Sequence, residues 1–296
     1  MLVNMNGQLL PKEKAVVSVF DHGLLYGDGV FEGVRAYNGR VFRLTQHLER
    51  LYDSAKAILL TPPLPLEALR KEILRTLAAN GLKDAYIRPV FTRGPGDLSL
   101  SPASCPRASY FIITDRIRLY PEATYRDGLA LITVPTRRNV SEALSPKIKS
   151  LNYLNNILAK IEATQRGALE AVLLTQDGYV AECTADNLFI LRKGRLLTPP
   201  TWQGALEGVT RQAVLELAEK RRVSAVEEPI TRYDIYTSQE AFMTGTAAEI
   251  VPVTALDGRS IGDGEPGPLT KGLMRDYRDL TRREGDRIPA ARKTRP

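Results

Sequence analysis

Two lysines, Lys147 and Lys149, precede a helical segment near the middle of the chain. The apolar residues that follow recur at intervals of three and four, which predicts one face of a helix: Leu154, Ile157, Leu158 and Ile161. A lysine just before a helix start lies near the positive end of the helix dipole, which disfavours its charged form. A free amine can attack a carbonyl or accept a proton. The alternative is that both lysines are solvated surface charges, and only partners elsewhere in the chain favour the chemical interpretation.

Three further features could supply such partners. Glu182 closes an apolar strand and precedes a polar run, so its carboxylate faces either solvent or a cavity. Arg50 lies off the apolar stripe of a predicted helix, where it is either exposed or directed at an anion. Backbone amides at the predicted helix start over 208–210 form an anion-binding geometry, and those of the small-residue run 244–249 could line a pocket.

The N-terminal part offers a second group of candidates. Tyr86 and Arg88 share one face of a predicted strand over 85–93. Pro89 predicts that this strand is an edge strand or is bulged. An arginine beside a tyrosine could bind a carboxylate, or it could extend into solvent. The glycine-rich segment 20–35 either lets a ligand approach the backbone closely or serves chain geometry alone.

Strands and helices alternate along the chain and must position these residues. Further strands are predicted over 109–115, 129–134, 171–175, 179–182, 188–191, 196–198, 240–243 and 250–256. Helices are predicted with Thr45 and Thr210 as their N-caps, from Leu154, and over 66–80 and 270–283. We expect a small α/β domain over 1–120, a linker over 121–127, a larger domain over 128–286, and a disordered basic tail over 287–296.

Composition excludes several classes of protein. The 296 residues are 43% hydrophobic and 25% charged, as in globular proteins, and no apolar stretch approaches membrane-spanning length. The N-terminus lacks a signal-peptide pattern, and two cysteines suit a reducing cytoplasm. With two histidines, we expect no metal site. Four of the net +7 charges lie in the last ten residues, so nucleic-acid binding is poorly supported.

A lysine, a carboxylate, an arginine and two amide turns match the needs of one cofactor, pyridoxal 5′-phosphate (PLP). PLP requires an amine for a Schiff base, an acid beside its pyridine nitrogen, and an anion site for its phosphate. A carboxylate that keeps the ring nitrogen protonated lets the ring accept the electrons left when a Cα–H bond breaks. The residues therefore favour a PLP enzyme.

The sequence also resembles the fold-type IV PLP enzymes and, within them, the branched-chain amino acid aminotransferases. The resemblance rests on HGLLYGDGVFEG over 22–33 and GTAAE over 245–249, and it covers nearly the whole chain except the basic tail. It implies that Lys149 is the Schiff-base lysine and proton carrier. It further implies that Tyr153 donates to the phenolic oxygen of PLP and that Glu182 pairs with the pyridine nitrogen.

The remaining site residues are implied by the same resemblance. The residues implied to bind the cofactor phosphate are Arg50, Val209, Thr210 and Thr246, and Leu206 is implied to pack on the ring face. The residues implied to bind substrate are Thr246 and Ala247 through their amides, and Tyr26, Phe31, Tyr86 and Arg88 through their side chains. Cys183 and Ala185 stand where the family usually has glycine, so we expect an altered ring environment or a narrower pocket there.

The resemblance implies a smaller N-terminal α/β domain, a larger barrel-like α/β domain that binds PLP, and a cytoplasmic homodimer or higher homo-oligomer. The implied activity transfers the amino group of leucine, isoleucine or valine to 2-oxoglutarate, giving the 2-keto acids and L-glutamate. Alternatives of the same fold are a D-amino acid or (R)-amine aminotransferase and an aminodeoxychorismate lyase. An alternative of another class is a basic anion-binding protein without catalysis.

Overall fold

A computed structural model describes residues 1–117 and 119–290 of the chain. These residues divide into two compact units. The described residues of the first unit are 1–117, 148–152 and 281–290, and those of the second are 119–147 and 153–280. Lys149 therefore belongs to the first unit, whereas the sequence analysis placed it in the larger domain over 128–286. The reason is local: its backbone bonds to a strand of the first unit, as described below.

The strands are numbered in chain order. They are β1 (Leu2–Met5), β2 (Gln8–Pro11), β3 (Gly29–Phe31), β4 (Val34–Tyr37), β5 (Arg40–Val41), β6 (Ala85–Thr92), β7 (Ser109–Asp115), β8 (Leu129–Thr133), β9 (Glu170–Leu174), β10 (Val180–Cys183), β11 (Asn187–Arg192), β12 (Arg195–Thr198), β13 (Ala225–Glu227), β14 (Glu240–Gly245), β15 (Glu249–Leu256), β16 (Arg259–Ser260) and β17 (Asp286–Arg287). The α-helices are α1 (His22–Tyr26), α2 (Leu44–Ala57), α3 (Leu66–Ala79), α4 (Glu122–Asp127), α5 (Leu154–Gln165), α6 (Val209–Lys220), α7 (Arg232–Tyr236) and α8 (Pro268–Arg283).

The first unit contains an eight-stranded sheet in the order β17-β5-β4-β6-β7-β1-β2, with β3 also paired to β6. Helices α2 and α3 pack their apolar residues on this sheet. Leu48 and Leu51 of α2 and Ile73 of α3 are fully buried in one core with Val34 and Ile87 of the sheet. The apolar stripe predicted for α2 therefore faces the core.

Strand β6 lies in the interior of this sheet, so the prediction of an edge or bulged strand from Pro89 was wrong. β6 pairs with β7 on one side and with β3 and β4 on the other. Pro89 lacks an N–H, but it lies opposite the break between β3 and β4, where Glu32 N donates to Pro89 O over 2.9 Å. The interruption of the neighbouring strand accommodates the missing donor.

The second unit contains a nine-stranded mixed sheet in the order β10-β9-β8-β15-β14-β11-β12-β13, with β16 on β15. The pairs β8–β9, β8–β15 and β12–β13 are parallel, and the other pairs are antiparallel. Val172, Leu188, Met243 and Val251 are fully buried in its core. The α/β fold class predicted from the sequence is confirmed.

Two predicted boundaries differ from the structure. The predicted linker over 121–127 is mostly helix α4, and Tyr125 of that helix packs on the core of the second unit. The start predicted for the disordered tail, residue 287, is also too early. Arg287 pairs with Arg40 of β5, and Ile288 packs on the hydrophobic core of the first unit. Residues 291–296 of the predicted tail lie outside the described residues.

Helix α5 forms where it was predicted, but its apolar stripe does not face the core. Leu154, Ile157, Leu158 and Ile161 are each between 46% and 65% exposed. The residues that α5 buries are Asn156, Ala159 and Ala163. Small side chains let this face of the helix approach the sheet closely, and the apolar face stays exposed among the residues that the structure describes.

Two predicted helix caps were also misplaced. The N-cap of α2 is Arg43, in the left-handed region at φ 47°, and not Thr45. The N-cap of α6 is Gly208, so Thr210 lies inside the helix. Within residues 1–117 and 119–290, no helix is both long and apolar enough to cross a membrane.

Candidate active site

The peptide backbone of Lys149 is fixed on both sides. Lys149 N donates to Ser54 Oγ of α2 over 3.2 Å, and Lys149 O accepts from Phe31 N of β3 over 2.9 Å. A bridge between Val30 and Ser150 continues the contact with β3. Lys147 is exposed, whereas Lys149 is half-buried. The two lysines considered in the sequence thus have different surroundings.

The side chain of Lys149 lies beside the predicted substrate residue Phe31, which clusters with Arg88 and Tyr86. Its Nζ is 4.8 Å from the centre of the Phe31 ring, and the Arg88 guanidinium lies 4.4 Å from the same centre. Arg88 Nη2 donates to Tyr86 Oη over 2.6 Å. A Cβ atom at Gly33 would collide with Tyr86 Oη, so a larger residue here would displace the hydroxyl that Arg88 contacts. The cluster presents two aromatic rings, a guanidinium and an amine.

Arg50 is held by a fully buried carboxylate. Arg50 Nε donates to Glu32 Oε1 over 2.6 Å and Arg50 Nη2 donates to Glu32 Oε2 over 3.0 Å. His47 Nδ1, one helical turn before Arg50, lies 2.8 Å from Glu32 Oε2, and Gly33 N donates to the same oxygen over 3.1 Å. A bidentate ion pair of this kind fixes the orientation of the guanidinium plane.

Electrostatics keep Glu32 ionised and His47 neutral. Burial acts to raise the pKa of Glu32, but Arg50 and His47 outweigh it and hold that pKa well below its ordinary value. Burial lowers the pKa of His47 below its ordinary value, although Glu32 acts in the opposite direction. A carboxylate can only accept hydrogen bonds, so the neutral imidazole donates through Nδ1–H.

In the second unit, Glu182 is buried and receives donors at both oxygens. Arg138 Nη2 donates to Glu182 Oε1 over 2.7 Å. Leu206 N donates to Oε2 over 2.9 Å, and Asn187 Nδ2 donates to the same oxygen over 3.2 Å. Asn187 Nδ2 also donates to Leu206 O over 2.9 Å, so Glu182 and Leu206 are tied together.

Arg138 is itself fixed by the surrounding backbone and by α5. Its Nε donates to Gly204 O and its Nη1 donates to Asn156 Oδ1, each over 2.9 Å. Asn156 Nδ2 in turn donates to Thr184 O over 2.6 Å. The polar residue on the buried face of α5 therefore supports the cation that accompanies Glu182.

Three further predicted cofactor residues lie at the starts of two helices of the second unit. Tyr153 is the N-cap residue of α5, and Val209 and Thr210 begin α6. A Cβ atom at the N-cap Gly208 would collide with Asn187 Oδ1, so a larger residue here would displace the amide that contacts Glu182. No side chain caps this helix start among the described residues. Its first amides therefore keep their anion-binding geometry.

Thr246 and Ala247 lie in the three-residue turn between β14 and β15, whose strands pair from Gly245 and Glu249. A Cβ atom at Gly245 would collide with Asp186 Oδ1. Thr244 Oγ1 is buried and has no hydrogen-bond partner within residues 1–117 and 119–290. The turn thus carries backbone amides and a buried polar atom that a ligand could satisfy.

Tyr26 differs from the other predicted substrate residues. Its hydroxyl donates to Leu98 O over 2.9 Å, its ring contacts His22 edge-on, and its side chain is exposed. Cys183 is fully buried, and burial raises the pKa of its thiol well above the ordinary value. Ala185, the other departure from the family pattern, is exposed.

Sequence reasoning missed the residues that hold the predicted ones. Glu32 holds Arg50 and is itself held by His47, whereas Arg138 and Asn187 hold Glu182. The spacing of His47 and Arg50 places both on one helix face and could have suggested a shared partner. Arg138 lies in an irregular polar segment, where the sequence carries no periodic signal.

The sequence profile of the amino-transferase class IV family matches residues 29–256. A relative from Methanocaldococcus jannaschii, provisionally named a branched-chain-amino-acid aminotransferase, is 48% identical over 97% of this chain and 99% of its own. The branched-chain-amino-acid aminotransferase of Pseudomonas aeruginosa is 37% identical over 93% of this chain and 91% of its own. The D-alanine aminotransferase of Bacillus licheniformis is 34% identical over 93% of this chain and 95% of its own.

Solved structures agree with these sequence comparisons. The branched-chain aminotransferase of Thermoproteus uzoniensis with norvaline has a TM-score of 0.90 and 40% identity, and the match covers 96% of each chain. The T.th. branched-chain amino acid aminotransferase with pyridoxamine 5′-phosphate has a TM-score of 0.91 and 38% identity, over 96% of this chain and 95% of that one. The same enzyme with N-(5′-phosphopyridoxyl)-L-glutamate has a TM-score of 0.89 and 37% identity, over 96% and 95%. The chain belongs to the class IV aminotransferase family, as the sequence resemblance predicted.

Proposed function

We propose that this chain is a PLP-dependent aminotransferase that transfers the amino group of L-leucine, L-isoleucine or L-valine to 2-oxoglutarate. The products are the branched 2-keto acids and L-glutamate. The observation that carries this proposal is the half-buried Lys149, whose peptide bonds to β3 and α2 and whose amine lies beside Phe31.

Each unit, taken by itself, carries donor groups of kinds that PLP requires. The first unit supplies an amine in Lys149 and a guanidinium in Arg50 for a phosphate. The second supplies the carboxylate of Glu182 for a pyridine N–H and the first amides of α6 for a phosphate. PLP, when bound, supplies a ring that withdraws electrons from the substrate Cα.

Lys149 acts as the proton carrier in this proposal. Its amine removes the proton from the substrate Cα, and it delivers a proton to Cα in the reverse half of the reaction. The bonds to Ser54 and Phe31 keep the backbone of Lys149 in place, so only the flexible side chain moves between its positions. Holding the reacting groups in register lowers the entropic part of the barrier.

The Phe31 and Arg88 cluster explains how one pocket could take two kinds of side chain. The Phe31 ring offers an apolar surface for a branched alkyl group. Arg88 Nε is buried and has no hydrogen-bond partner in the described part of the chain, so the distal carboxylate of 2-oxoglutarate could satisfy it. A carboxylate bound to arginine gains a charge-assisted hydrogen bond.

A panel of substrates tests the proposal against its nearest rival. Because one relative is a D-alanine aminotransferase, transamination of D-amino acids is the second candidate function. We expect L-leucine, L-isoleucine and L-valine to yield L-glutamate from 2-oxoglutarate faster than D-alanine or (R)-1-phenylethylamine does. Faster turnover of the D-amino acid or the (R)-amine would replace the branched-chain assignment with the rival.

We further propose a cytoplasmic homodimer or larger homo-oligomer. In support, the apolar stripe of α5 is exposed, and so are Val16, Val19, Phe20 and Leu24 near Tyr26 in the sequence. Apolar patches of this kind are typical of interfaces. Light scattering of the purified protein should give at least twice the mass of one chain, and Ile157→Glu should lower that mass. A monomeric wild type would contradict the oligomer.

Two free cysteines, Cys105 and Cys183, suit the reducing cytoplasm.

A further inference from the structure

Glu32 occupies the junction between the two elements that hold the reactive lysine and the proposed phosphate arginine. It directly follows Phe31, whose N–H holds the carbonyl of Lys149. Its carboxylate receives both N–H groups on one edge of the Arg50 guanidinium. The side chain is fully buried, with 0% exposure, so water cannot replace either bond.

The rest of the surroundings keeps the Glu32 carboxylate in one position. Its backbone N–H is bound to Pro89 O, and Oε2 also accepts from Gly33 N and from His47. The neutral imidazole of His47 cannot take the place of Arg50 as a countercharge. Glu32 is therefore the negative group that offsets Arg50 in this part of the first unit.

We propose that Glu32 is a positioning residue that fixes the Arg50 guanidinium relative to the Lys149 backbone, and thereby sets how tightly the protein binds PLP. This inference rests on the proposed function, because it requires Arg50 to bind the cofactor phosphate. The fork leaves Arg50 one orientation of its plane, and a phosphate recognised by a preoriented guanidinium binds more tightly than one that must order it.

A double-mutant cycle on cofactor affinity separates this role from a contribution to folding alone. Glu32→Gln keeps the size of the side chain and removes its charge, whereas Arg50→Lys keeps the positive charge and removes the planar fork. PLP dissociation constants are measured by absorbance titration of each apoprotein, well below its unfolding temperature. We expect E32Q to weaken PLP binding about tenfold in the wild-type background, as the loss of an orienting partner commonly does. In the R50K background we expect E32Q to change the PLP dissociation constant by less than about twofold.

Two results would overturn the inference: an unchanged PLP affinity in E32Q, or the same loss in both backgrounds. Glu228→Gln is the matched control, because it removes the charge of an exposed Arg195–Glu228 pair, and its PLP affinity should equal that of the wild type. A wild-type protein that does not bind PLP contradicts the proposed function itself, and so is distinguishable.

If E32Q does not fold, His47→Gln replaces it in the cycle. This variant leaves the fork intact and removes one restraint on Glu32, so we expect a loss of about threefold in PLP affinity that disappears in R50K. An unchanged affinity in H47Q, or a loss that persists in R50K, then overturns the inference.

Discussion

Glu32 and Glu182 are both buried carboxylates held by an arginine, one in each unit, but their partners differ in kind and in origin. Glu32 receives two N–H groups of Arg50 and the imidazole of His47, all from helix α2. Glu182 receives one N–H of Arg138, together with amide donors from Asn187 and Leu206. The first is a local pairing of a strand residue with one helix, and the second gathers distant segments of the chain.

These different sets of partners suit the two carboxylates to different roles. Glu32 is locked by a bidentate pair within the protein, and this suits it to position Arg50. Glu182 is oriented mainly through neutral amides and one guanidinium N–H, and this suits an acid that also serves a ligand. A buried carboxylate depends strongly on the cation that it is paired with, since removal of that cation leaves a poorly compensated buried charge.

The largest effect is therefore expected on removing Arg138. Arg138→Met keeps much of the side-chain volume but leaves the buried Glu182 without its cation, which should lower the free energy of unfolding by about 3–5 kcal/mol. Urea unfolding at pH 7 measures this. The double variant R138M/E182Q should recover part of the loss, because the stranded charge is gone. A loss in R138M below about 1 kcal/mol would show that Glu182 does not depend on Arg138.

A smaller, pH-dependent effect is expected on removing the Glu32 charge. Because the pKa of Glu32 is lowered in the folded protein, its contribution to stability is fully present above the ordinary value of 4.5 and is lost as the pH falls below it. E32Q should be about 2 kcal/mol less stable than the wild type at pH 7, the order expected for lost hydrogen bonds to a charged group.

The difference between the two proteins should narrow as the pH falls below 4.5. The lowered pKa of His47 adds a loss of wild-type stability as the pH falls through its ordinary value of 6.5. Thermal unfolding of both proteins across pH 3–8 measures these trends. A difference that stays constant to the lowest pH would contradict an ionised Glu32.

The smallest effect is expected at an exposed pair of the same chemical type. Arg195 and Glu228 form an ion pair at 2.7 Å with both side chains nearly half exposed. Glu228→Gln should change the free energy of unfolding by less than about 1 kcal/mol, since water solvates both partners. A loss as large as that of R138M would mean that burial does not set the size of these effects.

The same contrast explains what the sequence could predict. Periodicity placed α2, α3 and nine of the strands, β6 to β12, β14 and β15, and motif resemblance named Lys149, Arg50 and Glu182. The i, i+3 spacing of His47 and Arg50 could have suggested a shared acid. Arg138 could not be found in this way, because its partners Gly204, Asn156 and Glu182 approach it only after long-range folding.

Helix α5 shows the other limit of periodicity. Its apolar stripe predicted the helix correctly, but Asn156, Ala159 and Ala163 form the buried face. An apolar stripe predicts that a helix has an apolar face. It does not indicate whether that face is buried by the same chain or by another one. Pro89 was misjudged for a similar reason, since the break between β3 and β4 that accommodates it is a property of the neighbouring strands.

Lys149 is the residue that should bind the cofactor covalently. Holoprotein reduced with sodium borohydride should carry the phosphopyridoxyl group on the peptide that contains Lys149, identified by mass spectrometry. Lys147→Arg is the matched control, because Lys147 is exposed two residues away, and it should be labelled like the wild type. Lys149→Arg should lose the label together with transamination. Label on another lysine, or turnover retained in Lys149→Arg, would contradict the account.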